Sequence, residues 1–271
     1  MFIGEIYFIY ESSVVNQDET PRSLAPNLQR GLGILEYLAQ NPGGSTVTEL
    51  ADALALPTAS VFRITKALVD LGYLTRDPSS KRFSITNKFF LLGQPRSSQL
   101  SLSQCSIESM RDIRRVTQET TQLCCLIETE MVIIEQILAI HAFKYSGELG
   151  ARCPVYSSAP GKALIAFLPE AEQATLIDQI EFKHFTQTTI SSKQELRDEL
   201  AQVHQQGWAC DRAEGLEGIH CVAAPILDRH HYPVASITIT GPSSRIPETE
   251  FATIGKIVCK GANKASDLFN S

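Results

Sequence analysis

A chain of 271 residues, 43% hydrophobic and 20% charged, is long enough for two modest cores and too apolar for a disordered polymer. Its net charge of −6 argues against nucleic acid as a whole-chain partner, but the charge is uneven: residues 24–94 carry seven Lys/Arg against five Asp/Glu, and residues 95–271 carry sixteen against twenty-one. Seven scattered cysteines, with no CxxC spacing, argue against a disulfide framework or a zinc ribbon and fit reduced thiols in a cytoplasmic protein.

Residues 1–24 begin with "MFIGEIYFIYESSVV", an apolar run with Glu5 inside it and no basic leader. It makes a poor signal peptide, is too short to span a bilayer, and is expected to be an extension without a fold of its own. No later apolar run reaches spanning length, so no membrane partner is expected.

From Asn27 the pattern is helical, with Leu28, Leu32, Leu35 and Leu38 near one face, until "NPGG" at 41–44 stops it. Thr46-Val47-Thr48-Glu49 has capping-box spacing and opens a second helix, with Val47, Leu50, Ala51 and Leu54 on one stripe. Pro57 lies a few residues on, where a third helix can start without needing its N–H. In that helix Val61, Ile64, Leu68 and Leu71 are expected to face the core. Gly72 ends it, and "YLTRDPSSKRFSI" reads as two short strands around an Asp77-Pro78-Ser79-Ser80 turn.

Three helices and a basic ribbon in this order make a winged helix-turn-helix, expected to occupy residues 25–94. Thr58, Ala59, Ser60, Phe62, Arg63 and Lys66 are its expected contacts from the third helix. Arg can grip guanine or phosphate, and Ala or Phe can touch a thymine methyl. Arg76, Lys81 and Arg82 on the ribbon are expected at phosphates or in the minor groove. The expected partner is a double-stranded DNA operator.

Residues 95–120 begin rich in Pro and Ser, then carry Ile107, Met110, Ile113 and Val116 at helical spacing, and read as a linker helix. This stripe and the Leu28–Leu38 face are the expected dimer surfaces. Residues 121–271 alternate strands (Leu123–Ile127, Met131–Ile140, Gly218–Leu227, Val234–Thr240) with helices near 160, 170–180, 192–206 and from Glu248. The expected fold class is α+β, the second domain being α/β with a mainly antiparallel sheet.

"LQRGLGILEYLA", "TVTELADALALPTASVFRITKALVDLGYL" and "FSITNKFFLLG" resemble the DNA-binding half of the IclR family of bacterial transcription regulators. "PVYSSAPGKALIAFLP" and "GWACDRAEGLEGIHCVAAPILDRHHYPVASITITGPSSRI" resemble its effector-binding half. The resemblance covers roughly residues 25–271. It implies a GAF-like effector domain, a homodimer or homotetramer, and control by a small molecule, often an organic acid or an aromatic or sugar-acid metabolite. The expected function is a repressor whose operator binding responds to a hydroxy or keto monocarboxylate, with no cofactor, metal or catalysis. Carried over position by position, it implies that the turn Ser158-Ala159-Pro160 offers amides to an effector carboxylate. Asp211, Cys221, Thr238 and Thr240 would supply polar groups, and Ile219 an apolar wall. Strand alternation independently puts Ile219 with Cys221 on one face, and Thr238 with Thr240 on one face.

Three alternatives stand against a regulator. His220-Cys221 with Asp211 suggests a cysteine hydrolase, but successive strand residues point to opposite faces, so His220 is badly placed as a base for Cys221. A metal site through His220, His230, His231 and Cys210 lacks ligand spacing. A scaffold whose winged helix binds protein would leave no DNA footprint. The single tryptophan, Trp208, reads as core beside the effector site.

Overall fold

The computed structural model describes residues 25–89 and 101–271. The expectations for residues 1–24 and for the Pro/Ser-rich start of the linker lie outside them. The chain divides into two compact units, Met1–Gln94 and Pro95–Ser271.

The first unit is built from α1 (Pro26–Gln40), α2 (Val47–Ala53), α3 (Thr58–Asp70), β1 (Leu74–Arg76) and β2 (Phe83–Ile85). The capping box at α2 forms: Glu49 N–H donates to Thr46 Oγ1 (3.3 Å) and Thr46 N–H to Glu49 Oε2 (2.8 Å). Between α2 and α3 the chain turns through Ala55, at φ 50°, and Pro57 is the residue that precedes α3. The ribbon tip is closed by one carboxylate oxygen of Asp77, which accepts from the backbone and hydroxyls of both Ser79 and Ser80. These bonds hold the Asp77 carboxyl far below the usual carboxylate range.

Ile34, Leu35, Leu38, Leu50, Val61, Leu74 and Phe83 form this unit's core. One detail differs from the helical-wheel expectation. Leu71 is exposed, because α3 ends at Asp70 and the chain leaves the helix there. On α1 the buried side is Ile34, Leu35 and Leu38, while Leu28 and Leu32 stand 63% and 50% exposed. They line a mainly apolar groove of about 430 Å³ with Leu35, Ile64, Ala67 and Leu68, and Ser60 and Arg63 also border it.

The second unit opens with α4 (Leu102–Thr117), followed by β3 (Thr120–Ile127), β4 (Glu130–Ile137) and β5 (Arg152–Pro154). Then come α5 (Ala159–Ile165), α6 (Glu170–Gln179), α7 (Lys193–Gln206), β6 (Ala209–Arg212), β7 (Ile219–Leu227), β8 (Pro233–Pro242) and α8 (Phe251–Asn270). The six strands form one antiparallel sheet in the order β5-β4-β3-β8-β7-β6. Helices cover both faces, so apolar residues run almost continuously along β7, and alternation decides which core each joins. Cys210, Val222, Ala224, Ile237 and Ile239 meet α4 and α8 on one side. Ala209, Cys221 and Ala223 turn to the layer of α5, α6 and α7.

The linker expectation is corrected here. Met110 and Ile113 of α4 are buried against α8, with Cys105, Ser106 and Ser109 beside them. A Cβ at Gly261 would meet Ile113 Cδ1 at 2.6 Å, so the Ile113 side chain packs directly on the α8 backbone. The aliphatic side of α4 therefore has its partner within the domain and is not a free dimer face; only Val116 at its end is exposed. Trp208 is likewise on the α8 side, packed on Gly255, and not on the sheet face that carries Cys221 and Ala223.

Candidate DNA interface and effector site

Along α3, Thr58, Ala59, Phe62, Arg63 and Lys66 all lie exposed on one side, with Phe62 51% accessible. Val61 and Thr65 face inward, and Thr65 Oγ1 returns its proton to Val61 O (2.9 Å). Ser60, expected among the contacts, is instead buried: helix rotation carries it toward α1, where Arg30 Nη1 approaches its hydroxyl at 3.5 Å. Arg76 and Lys81 are exposed on the ribbon, Arg76 stacking over the Phe83 ring at 5.4 Å. Arg82 is committed elsewhere. Its guanidinium donates to Glu49 Oε1 (2.7 Å) and Gly44 O (2.6 Å), which ties the ribbon to the start of α2. It is a brace rather than a free phosphate contact, because both ends of its fork are occupied.

The second site forms where strand register lines up side chains across four strands. Asp211 pairs with Cys221, Cys221 with Thr240, and Thr240 with Thr120. Directly opposed residues share a face, so these four stand in one row across the sheet. The next row brings Ala223, Thr238 and Gln122 together. Residues far apart in the chain are thus joined by register alone. Thr120, Gln122 and Gln136 escape a sequence reading, since no local motif announces a pairing partner a hundred residues away.

The turn into α5 lies over this face. Ser158 caps the helix, accepting from Gly161 N–H (3.3 Å) and donating to Pro154 O (3.1 Å). Pro160 has no N–H, which leaves at most the Ser158 and Ala159 amides free to grip an anion. Ser158, Ala159, Pro160, Asp211, Cys221 and Thr240 are all buried, and Ile219 is half-buried at the edge. Thr238 shares the face, but its hydroxyl donates to Val222 O (3.2 Å) and Ile239 O (3.1 Å), so it is spent on backbone.

Beside the row lies a buried charge cluster. Lys162 is fully buried, with Nζ 2.7 Å from both Glu214 oxygens and 3.1 Å from Glu199 Oε1. Burial alone would lower the Lys162 ammonium, but the Glu214 and Glu199 carboxylates outweigh it and carry it to about 12. The Glu214 backbone N–H donates to Asp211 Oδ1 (2.6 Å), so the clamp on Glu214 also fixes Asp211. Burial first, then the nearby Glu214 charge, push Asp211 up to about 7. Burial and the Asp211 carboxyl hold the Cys221 thiol well above its ordinary value.

A thiol so protected is a poor nucleophile. His220 points to the other face, its Nδ1 2.8 Å from Ile246 O and its ring edge-on to Phe251. The hydrolase arrangement is therefore absent. Among the described residues no cluster of His, Cys, Asp and Glu could hold a metal ion, and no helix is long and apolar enough to cross a membrane.

An exposed recognition helix and wing on one unit make a winged helix-turn-helix of the DNA-binding transcription-regulator class, and the other unit carries an inward-facing polar row. Two family profiles match the chain: the IclR helix-turn-helix domain over residues 27–78 and the bacterial transcriptional regulator IclR C-terminal domain over residues 97–267. The chain belongs to the IclR family. It is 30% identical to the HTH-type transcriptional regulator KdgR of Escherichia coli K12 over 249 residues, 92% of this chain and 94% of that regulator. It is 31% identical to the HTH-type transcriptional repressor AllR of the same organism over 234 residues, 86% of each. An IclR homolog from Microbacterium hydrocarbonoxydans, solved in complex with 4-hydroxybenzoate, shares the fold at a TM-score of 0.76. It is 19% identical, and the match covers 90% of this chain and 98% of that one. The relatives are regulators, not enzymes.

Proposed function

We propose that this protein is a cytoplasmic transcriptional repressor whose grip on a pseudo-palindromic operator is controlled by a small hydroxy or keto monocarboxylate held against the Asp211–Cys221–Thr240 row. The buried polar row carries this reading. An apolar aromatic would use none of the remaining hydrogen-bonding capacity of Asp211, whose Oδ1 alone is taken by the Glu214 amide, and would bury that carboxyl without further compensation. A carboxylate at the Ser158-Ala159 amides places the ligand's hydroxyl or keto oxygens toward Asp211. A dianion is disfavoured by Asp211 and Glu214 together. The repressors among the relatives, and the homolog that holds a hydroxyl-bearing monocarboxylate, support the same reading.

DNA contact is assigned to Thr58, Ala59, Phe62, Arg63 and Lys66 of α3 with Arg76 and Lys81 of the wing. The free apolar groove containing Leu28 and Leu32 is assigned to a second copy of the chain, as a homodimer or a pair of dimers. The test is fluorescence anisotropy on a duplex selected from random sequence, titrated with gluconate, glyoxylate, pyruvate, 4-hydroxybenzoate and uncharged aromatics. Release of DNA by one of the acids is expected. Release by an uncharged aromatic, with no response to any acid, would overturn the reading.

A further inference from the structure

The segment between β4 and β5 is tied down on the same face of the sheet as the polar row. Thr120 Oγ1 donates to Tyr145 O (2.7 Å) and accepts from Ala139 N–H (3.1 Å). Gln136 grips Gly147 from both sides, accepting its N–H (3.0 Å) and donating to its carbonyl (3.0 Å). Gln122 Nε2 donates to Gln136 Oε1 (2.8 Å), and Thr240 Oγ1 approaches Gln122 Oε1 at 3.4 Å. Phe143 O accepts from Arg245, whose guanidinium also makes a two-pronged contact with the buried Glu119. Tyr145 therefore sits between fixed points on both sides.

Its ring lies over Gly147. A Cβ there would be 2.6 Å from Ile133 Cδ1, 3.0 Å from Gln122 Nε2 and 3.7 Å from Tyr145 Cε1. A larger residue would need Ile133 and Gln122 to shift, so glycine suits the close approach of this loop to the sheet, with the Tyr145 ring edge beside that contact. Burial raises the Tyr145 phenol, and the next contributions come from Cys153, Cys221, Cys124 and Asp211, so its hydroxyl is within electrostatic reach of the polar row. That hydroxyl makes no hydrogen bond to any described residue. The phenol is half-buried and anchored through its own backbone to Thr120 of the polar row, so its hydroxyl donor is available to a ligand bound there.

We propose that the Tyr145 hydroxyl donates a hydrogen bond to the effector, and that with Asp211 it selects an effector bearing a hydroxyl group at that end. The inference rests on the effector site proposed above and narrows its ligand class. A keto oxygen can only accept, and so could use Tyr145 but not an ionised Asp211. A hydroxyl donates to Asp211 and accepts from Tyr145 at once. Tyr145 thus reads the difference between hydroxy acids and their counterparts without the hydroxyl.

The experiment is calorimetric titration of the full-length wild type and Tyr145→Phe with two matched pairs: 4-hydroxybenzoate against benzoate, and gluconate against hexanoate. Phenylalanine keeps the ring packing, and the emission of Trp208 together with a melting curve checks that the domain is intact. Wild type is expected to prefer the hydroxylated member of at least one pair. Tyr145→Phe should weaken that member about 10-fold, as loss of one buried hydrogen bond does, and leave its partner within a factor of two. Binding of a hydroxy acid with discrimination unchanged in Tyr145→Phe would overturn the role of Tyr145 and leave the effector site standing. Failure of wild type to prefer either hydroxylated acid would overturn the role of Tyr145, and if neither these acids nor the keto acids of the operator titration bind, the effector site is overturned as well.

Discussion

Replacing Lys162 with methionine tests the buried charge cluster that backs the effector site. Methionine nearly fills the volume and keeps the side chain unbranched, so the change is mainly the loss of one positive charge. Glu214, 4% exposed at its side chain, loses the ammonium 2.7 Å away, while Glu199 keeps Arg212 at 3.7 Å. Breaking a buried pair from one side costs about 3–5 kcal/mol, because the remaining charge is stranded. For a domain of this size that corresponds to a fall of roughly 10 °C in melting temperature.

The cost depends on pH. Burial already holds Glu214 above the usual carboxylate range even with Lys162 present, and removing Lys162 raises it further. The folded variant then keeps a proton that the unfolded chain releases. Its stability is greatest below the unfolded carboxylate value and is lost as pH rises through the folded one. The defect should be smaller at pH 5 than at pH 8. Melting followed by Trp208, the only tryptophan and a residue of this domain, reads the effector domain alone. Lys162→Met/Glu214→Gln should recover most of the loss at pH 8. A single variant melting within 2 °C of wild type at both pH values would refute the argument.

Arg63→Ala should weaken specific operator binding about 5- to 150-fold, the range of one bidentate base contact, while Lys81→Ala should weaken all duplexes alike and flatten the salt dependence; both are read by anisotropy at several salt concentrations. Arg82→Ala should leave that salt slope unchanged, since its guanidinium is occupied by Glu49 and Gly44. Leu32→Glu should shift sedimentation at micromolar concentration from dimer or tetramer toward monomer, because it puts a charge into the apolar groove on α1. Cys221→Phe, at a position 8% exposed, should abolish the ligand response in the operator assay while leaving DNA affinity intact.

Local signals carried much of the fold. The Thr46–Glu49 capping box, the Asp77 turn and the Gly72 stop each act within four residues, and each forms as its chemistry dictates. The face shared by Ile219 and Cys221, and the one shared by Thr238 and Thr240, follow from alternation and are seen in the sheet. Readings that needed tertiary context fared worse. Helical spacing on α4 marks an apolar stripe but cannot say whether its partner is another chain or α8. Ser60 and Arg82 carry the right chemistry for DNA, yet one is turned inward and the other is already bonded. The short strands β5 and β6 gave too little periodicity to register. Tyr145 was invisible because its loop carries no motif, and its position depends on hydrogen bonds from Thr120 and Gln136, which lie on two different strands.

On β6 through β8, neighbouring residues serve different layers: Cys210, Val222 and Ile239 belong to the helical layer of α4 and α8, while Asp211, Cys221 and Thr240 face the effector side. The proposed ligand contacts and the packing core are thereby interleaved one residue apart yet kept separate. If the row holds the effector as proposed, substitution at every second position would alter the ligand contacts while the intervening positions preserve the packing behind the sheet.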